Sequence, residues 1–293
     1  MELIASLVAV AAPVLLVSAA GYVWGWRQLP FDHEFVTRIV TLVGSPALVF
    51  VTLSQSHFSM QDLFRMGGAS LACLIFFAIV ATIGLRLAGL SLRVYLPSLV
   101  FPNIGNMGLP ICLYAFGERG LALAMVYFTV CTVGQFSFGP GIAMGRLTVG
   151  GLLRVPFLYA AILAVTCAQM GFASPQWLTN TLTMIGNLTI PLMLLGLGVA
   201  LAQLVARNKA RQFTLALARL ALGLAGGVGV SWLFGLQGAE RGVLIIQSAM
   251  PTAVFNYLFA RAHGSDPDEV AGLVLLSTLV SYVSLPAIVA LAM

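Results

Sequence analysis

Two short stretches of this chain carry residues suited to holding an anion without a fixed charge. The first reads Leu99-Val100-Phe101-Pro102-Asn103-Ile104-Gly105-Asn106-Met107-Gly108-Leu109-Pro110, and the second Gln247-Ser248-Ala249-Met250-Pro251-Thr252-Ala253-Val254-Phe255-Asn256. Both interrupt apolar runs. Proline removes a backbone donor and clashes with the carbonyl four residues back, while glycine loosens the backbone, so a helix through either stretch is expected to break. In hydrocarbon a break is tolerated only where protein or a water-filled cavity pairs the freed backbone groups. The helix that resumes offers bare N–H groups and a positive dipole end, which favour an anion or a carboxylate. Asn103, Asn106, Thr252 and Asn256 add neutral donors beside Gly105 and Met107, and these six are the expected substrate contacts. Pro102 and Pro251 mark the breaks. A single proline could be an ordinary kink and a single asparagine interhelical glue; the matched pair points to a site.

The elements that must position these stretches are membrane spans. Of 293 residues, 60% are hydrophobic and 8% charged, against about 25% charged in soluble domains. That balance cannot cover a water-facing globule, and a mean hydropathy of +1.02 fits a surface that meets lipid. A spanning helix takes about 20 residues. Apolar runs delimit ten, near 3–25, 35–54, 66–90, 95–116, 119–142, 156–172, 178–205, 212–235, 240–262 and 268–292. They are too long and too uniformly apolar for barrel strands, so the expectation is an all-α integral membrane protein with one polytopic domain over 1–293.

Pro46 in the second span and Pro191 in the seventh stand 145 residues apart, and the same offset lays the third span on the eighth and the fourth on the ninth. Two five-helix halves are implied, about 1–142 and 156–293. Five is odd, so the second half enters the membrane from the other side and the repeats are inverted. Pro46 and Pro191 then read as paired helix kinks. Basic residues set the orientation: with the amino terminus outside, Arg27, Arg38, Arg86, Arg93, Arg146, Arg154, the Arg207-Lys209-Arg211 cluster and Arg261 all fall on the cytoplasmic side. Both termini are therefore expected to be extracytoplasmic in a multi-pass inner or plasma membrane protein. The amino terminus has no Lys or Arg before Arg27, unlike a signal peptide, and is expected to remain as the first span.

Other chemistry is excluded or left open by the residues present. Cys73, Cys112, Cys131 and Cys167 fall in apolar stretches without CxxC spacing, so packing is expected and neither metal nor cofactor is implied. The net charge of +5 is too thinly spread for nucleic acid. No histidine lies within a span, which removes the usual constellations of an enzyme, and no charged rings mark a channel. No Asp, Glu or His lies near the middle of a span, so no residue announces ion coupling, although Asp62, Glu118 or carbonyls at the breaks could serve. Arg219, inside the eighth span, is expected to snorkel to the cytoplasmic face rather than serve as a counter-ion. Glu118 and Glu240 are expected to be solvated span ends. Gln135 with Ser137, and Ser281 with Ser284, could line a cavity or bridge helices.

At the two breaks the sequence resembles the auxin efflux carrier family, which includes the plant PIN carriers and bacterial permeases for malonate and other organic acids. Pro102-Asn103 followed by Met107-Gly108-Leu109-Pro110 is similar to the family's fourth-span signature. Met250-Pro251 through Phe259-Ala260, the loop Gly264-Ser265-Asp266-Pro267, and Leu276-Ser277-Thr278-Leu279 to Ser284-Leu285-Pro286 extend the likeness to the end. The resemblance implies ten helices in two inverted halves, a scaffold part and a crossover part, with broken helices four and nine crossing at Pro102 and Pro251 as in bile-acid symporter-like and NhaA-like folds. It implies that Asn103 touches a substrate carboxylate. The plant members' long central loop has no counterpart, and Thr252 stands where their pattern tends to have a longer amide. The expected function is a secondary carrier of small organic anions by alternating access, favouring efflux. The alternative is a proton- or sodium-coupled dicarboxylate importer of the malonate kind. The expected partners are the anion and the lipid bilayer, and a homodimer is compatible with the sequence.

Overall fold

The structure, a computed structural model, describes residues 2–55, 60–144, 156–172 and 174–293. Arg146 and Arg154, two of the charges used for orientation, lie outside the described residues. The described chain is helical throughout, in elements α1 (Glu2–Trp26), α2 (His33–Ile39), α3 (Ser45–Ser54), α4 (Met60–Leu87), α5 (Leu92–Val100), α6 (Leu109–Met144), α7 (Pro156–Gln169), α8 (Gln176–Gln203), α9 (Lys209–Leu233), α10 (Gly238–Ser248), α11 (Val254–His263) and α12 (Pro267–Ala292). Wide π-type turns at Val40–Gly44 and Ile104–Gly108 join α2 to α3 and lead into α6. Among the described residues, seven helical stretches are long and apolar enough to cross a membrane, including His33–Ser54 across the first wide turn.

The expected gap between 116 and 119 appears as a corner within α6. Gly117 adopts φ 62° and ψ −155°, a conformation open essentially to glycine alone. Pro191 lies inside α8, which continues through it to Gln203. Pro46 opens α3 directly after the wide turn, where a missing backbone donor costs least.

Two groups of helices form. In one, α1 lies along α8, and α3 packs on α7 and α8. In the other, α4, α5, α6, α9, α10, α11 and α12 pack on one another, with fewer contacts to the first group. The second group is tied by a buried carboxylate: Glu269 of α12 accepts hydrogen bonds from Tyr95 Oη of α5 at 2.9 Å, Arg211 Nη2 at 2.8 Å and Gln212 Nε2 of α9 at 3.3 Å. Glu240 corrects an expectation. It is only 9% exposed and lies 3.8 Å from Arg65, since burial between α10 and α4 favours a paired carboxylate over a solvated one. Outward faces carry exposed large apolar residues such as Ile75, Ile79, Leu188, Trp232 and Val283, as a lipid-facing surface requires.

In the first group, α1 and α8 approach closely because glycine faces backbone. A methyl group added at Gly198 would come 2.0 Å from the Ser18 carbonyl oxygen, and one at Gly21 would come 2.1 Å from that of Leu195. Without a hydrophobic force between helices in lipid, such close packing supplies much of their association. Gly198→Val should therefore destabilise by about 3 kcal/mol, lowering the midpoint of thermal unfolding in detergent by roughly 6–12 °C. Gly84→Ala, where an added methyl meets nothing within 4 Å, is the neutral control. Equal midpoints for Gly198→Val and the parent would show that α1 and α8 do not meet this way.

Candidate functional site at the helix crossing

The two interrupted stretches meet. α5 ends at Val100, Phe101 is extended at φ −101° and ψ 103°, and helix resumes at the wide turn that starts at Ile104. α10 ends at Ser248 and helix resumes at Val254. Between them Pro102 pairs with Thr252 in an antiparallel bridge. The Asn103 amide donates to the Pro251 carbonyl at 2.6 Å, and the Ala253 amide donates to the Phe101 carbonyl at 3.2 Å. Backbone groups released by each break are thus taken up by the other, as a non-helical segment at membrane depth requires.

Side chains complete the crossing. Thr252 Oγ1 donates to the Ser98 carbonyl at 2.9 Å, and its amide donates to Ser277 Oγ at 3.1 Å. Asn256 Nδ2 donates to the Phe101 carbonyl at 3.1 Å, while its Oδ1 accepts from Gln135 Nε2 at 3.0 Å. Each bond supplies a partner for a group that would otherwise be buried unpaired.

A cavity of about 620 Å³ lies against the crossing, between the two helix groups. One side is formed by Pro102 to Asn106, by Ala253 to Phe255 at the start of α11, and by Phe128, Thr132, Gln135 and Phe136 of α6. The facing side comes from α2 and the turn after it, including Thr37 and Thr41, and from α8, including Met193 and Gly196. The amino ends of both resumed helices therefore line one space. The first N–H groups of a helix have no intrahelical acceptor, so the stretches 102–106 and 253–255 make this part of the wall electropositive without a charged side chain of their own.

The six expected contacts divide into two sets. Asn103, Gly105 and Asn106 line the cavity, whereas Met107, Thr252 and Asn256 do not. Met107 is fully buried, and Thr252 and Asn256 are committed to the crossing. Asn103 is 4% exposed, and its Nδ2 has no hydrogen-bond partner among the described residues. A buried amide donor left unpaired is costly, and here it belongs to a cavity-lining residue. Of the breaks themselves, Pro102 lines the cavity and Pro251 supplies the carbonyl that Asn103 grips.

Charge collects elsewhere in the lining. Glu34 and Arg38 of α2 form an exposed ion pair, and Arg261 from α11 makes no ion pair among the described residues. With Glu34 spent on Arg38, Arg261 leaves the lining net positive. Arg261 was legible only as a topology charge. Gln135, open between bridging and lining, does both. Thr132, Met193 and the residues from α2 carry no local motif that could have flagged them. Arg219 does not snorkel: it is fully buried, and its Nη2 donates to the Ser248 carbonyl at 2.7 Å, because that helix end lies within its reach.

A multi-pass helical protein with two crossed, broken helices beside a cavity is built as a transporter, and comparison with known proteins agrees. Residues 142–289 match the family model described as membrane transport protein. The chain belongs to this family, which includes the auxin efflux carriers. An uncharacterized transporter of Methanocaldococcus jannaschii is 24% identical over 85% of this chain and 86% of its own length. One from Methanothermobacter thermautotrophicus is 27% identical over 87% of each. Auxin efflux carrier component 6 of Arabidopsis thaliana is 29% identical over 52% of this chain and 29% of its own length.

Proposed function

We propose that this transporter is a secondary carrier of small organic anions, chiefly carboxylates, working by alternating access at the crossing. The observation that carries the reading is the unpartnered Asn103 Nδ2, buried on a wall built from two helix amino ends. A carboxylate there would take the Asn103 donor and the free amides near Gly105, Asn106, Val254 and Phe255, receiving charge-assisted bonds without a buried cation at contact distance. Asn256 and Thr252 hold the crossing, and Gln135 positions Asn256. The ten-span reading fits these elements, with α5 and the start of α6 as one broken span and α10 with α11 as the other, arranged as inverted five-helix repeats.

The lining favours a monocarboxylate with an apolar body. Phe31, Phe128, Phe136 and Phe255 all border the cavity, and among the described residues a second carboxylate would meet Arg261 alone as a cation outside an ion pair. The cavity extends toward the end of the molecule that carries Arg38 and Arg261, which the distribution of basic residues makes cytoplasmic, so this is an inward-open form with both termini outside. Among the described residues no acidic side chain lines the crossing, and Glu34 is paired with Arg38. Movement of the anion is then uncoupled and electrogenic, and an inside-negative potential favours export by about 2.3 kcal/mol per charge per 100 mV.

The test is flux of a panel of mono- and dicarboxylates in proteoliposomes holding the purified chain. Saturable flux, acceleration by unlabelled substrate on the far side, and a current carried by the anion are expected. Non-saturating flux without counterflow would make the protein a channel. Uptake that requires a proton or sodium gradient would make it a coupled importer.

A further inference from the structure

Arg219 is the largest fully buried side chain in the described protein, set within the span of α9. Its Nη2 donates to the Ser248 carbonyl, its guanidinium carbon lies 5.0 Å from the centre of the Phe77 ring, and its Nε and Nη1 have no partner among the described residues. The polar groups gathered there are neutral: Tyr127 Oη lies 3.1 Å and Cys73 Sγ 3.5 Å from Ser248 Oγ. Among the described residues no carboxylate pairs with it.

Ser248 is the last residue of α10, so the guanidinium sits at the negative end of a half-helix that points into the crossing. The matching end of α5 is served differently. Its Ser98 and Phe101 carbonyls accept from Thr252, Asn256 and the Ala253 amide, all neutral donors. Neutral groups therefore suffice to cap such an end. A buried cation without a counter-ion is costly in a membrane, and capping alone does not account for it.

We propose that Arg219 is a specificity-determining residue of the anion site, a fixed cation behind the crossing whose field favours a negative ligand at Asn103 while its bond to Ser248 positions the end of α10. This rests on the anion-carrier reading. From Ser248 to Pro251 the chain spans at most about 11 Å, and the Pro251 carbonyl holds the Asn103 amide at 2.6 Å. Counting both carbonyl groups, the guanidinium thus lies within roughly 21 Å of the Asn103 amide. Opposite unit charges at that separation, in an effective dielectric of about 20, shift a binding equilibrium about fourfold.

The experiment compares binding of phenylacetate and of phenylacetamide, its neutral counterpart of nearly the same shape, to the purified full-length protein. The parent should prefer the acid. Arg219→Gln should lower the ratio of the two affinities about fourfold or more by weakening the acid alone, and Arg219→Lys should preserve it. Cys73→Asp reaches the same end with the arginine retained, since a carboxylate beside Ser248 would pair the guanidinium and cancel its field. This variant keeps the proposal open to refutation if Arg219→Gln does not fold. A folded Arg219→Gln or Cys73→Asp protein with the parent ratio overturns the proposal, as does parallel loss of both ligands, which would mark a structural role only. A parent ratio near one removes the anion reading itself, and this inference with it.

Discussion

Asn103→Ala is expected to weaken binding of the best-carried carboxylate by roughly ten- to a hundredfold while leaving the fold intact. A hydrogen bond to a charged group contributes about 1.5–3 kcal/mol, and Asn103 Nδ2 is a buried donor with no partner among the described residues to compete for it. The backbone of Asn103, which holds the crossing through the Pro251 carbonyl, is untouched by the substitution. Thermal unfolding should move by only a degree or two. Asn103→Asp should go further, because it puts a negative charge where the proposed site holds the ligand's own charge. Thr252→Val is the informative contrast. Its hydroxyl donates to the Ser98 carbonyl and does not line the cavity, so it should cost about 1 kcal/mol of stability with affinity nearly unchanged. Calorimetric titration of the three proteins separates these outcomes. An unchanged dissociation constant for Asn103→Ala would place the carboxylate elsewhere.

The sequence exposed the breaks because their chemistry is local: proline and glycine between Phe101 and Pro110, and Pro251 in the middle of an apolar run, disrupt a helix whatever surrounds them. That the breaks meet could be expected only from the spacing of the halves and the family likeness, and the Pro102–Thr252 bridge brings them together. Which donors would face the ligand was not legible. Thr252 and Asn103 look alike on paper, but a carbonyl from α5 claims the Thr252 hydroxyl and none of the described residues claims Asn103 Nδ2. The same blindness applied to Arg219 and Glu240, whose environments come from helices distant in sequence. The second wall of the cavity was invisible for a different reason. α2 and α8 contribute mainly apolar and small residues, such as Val36, Met193 and Gly196, that have no chemistry of their own to announce.

That second wall makes Gly105 the position where transport should be easiest to stop. Gly105 belongs to the crossing, while Met193 belongs to α8 in the other helix group, and a methyl group at Gly105 would come 2.7 Å from Met193 Cε and 3.1 Å from Phe128 Cε2. On the proposed alternating-access mechanism, the two groups move past each other here. Gly105→Ala should be tolerated, because the neighbour at shortest range is the end of an unbranched, adaptable side chain, and flux should stay within about threefold of the parent. Gly105→Phe cannot be absorbed that way. If the ring costs about 3 kcal/mol more in one arrangement of the groups than in the other, the two-state equilibrium shifts roughly 150-fold, and flux should fall by about a hundredfold. Because the ring occupies cavity space rather than core, the midpoint of thermal unfolding should change little. Proteoliposome flux and thermal unfolding measured on the same preparations test this directly. Parent-like flux through Gly105→Phe would mean that the groups do not slide at this contact, and the cavity wall would then have to be treated as static.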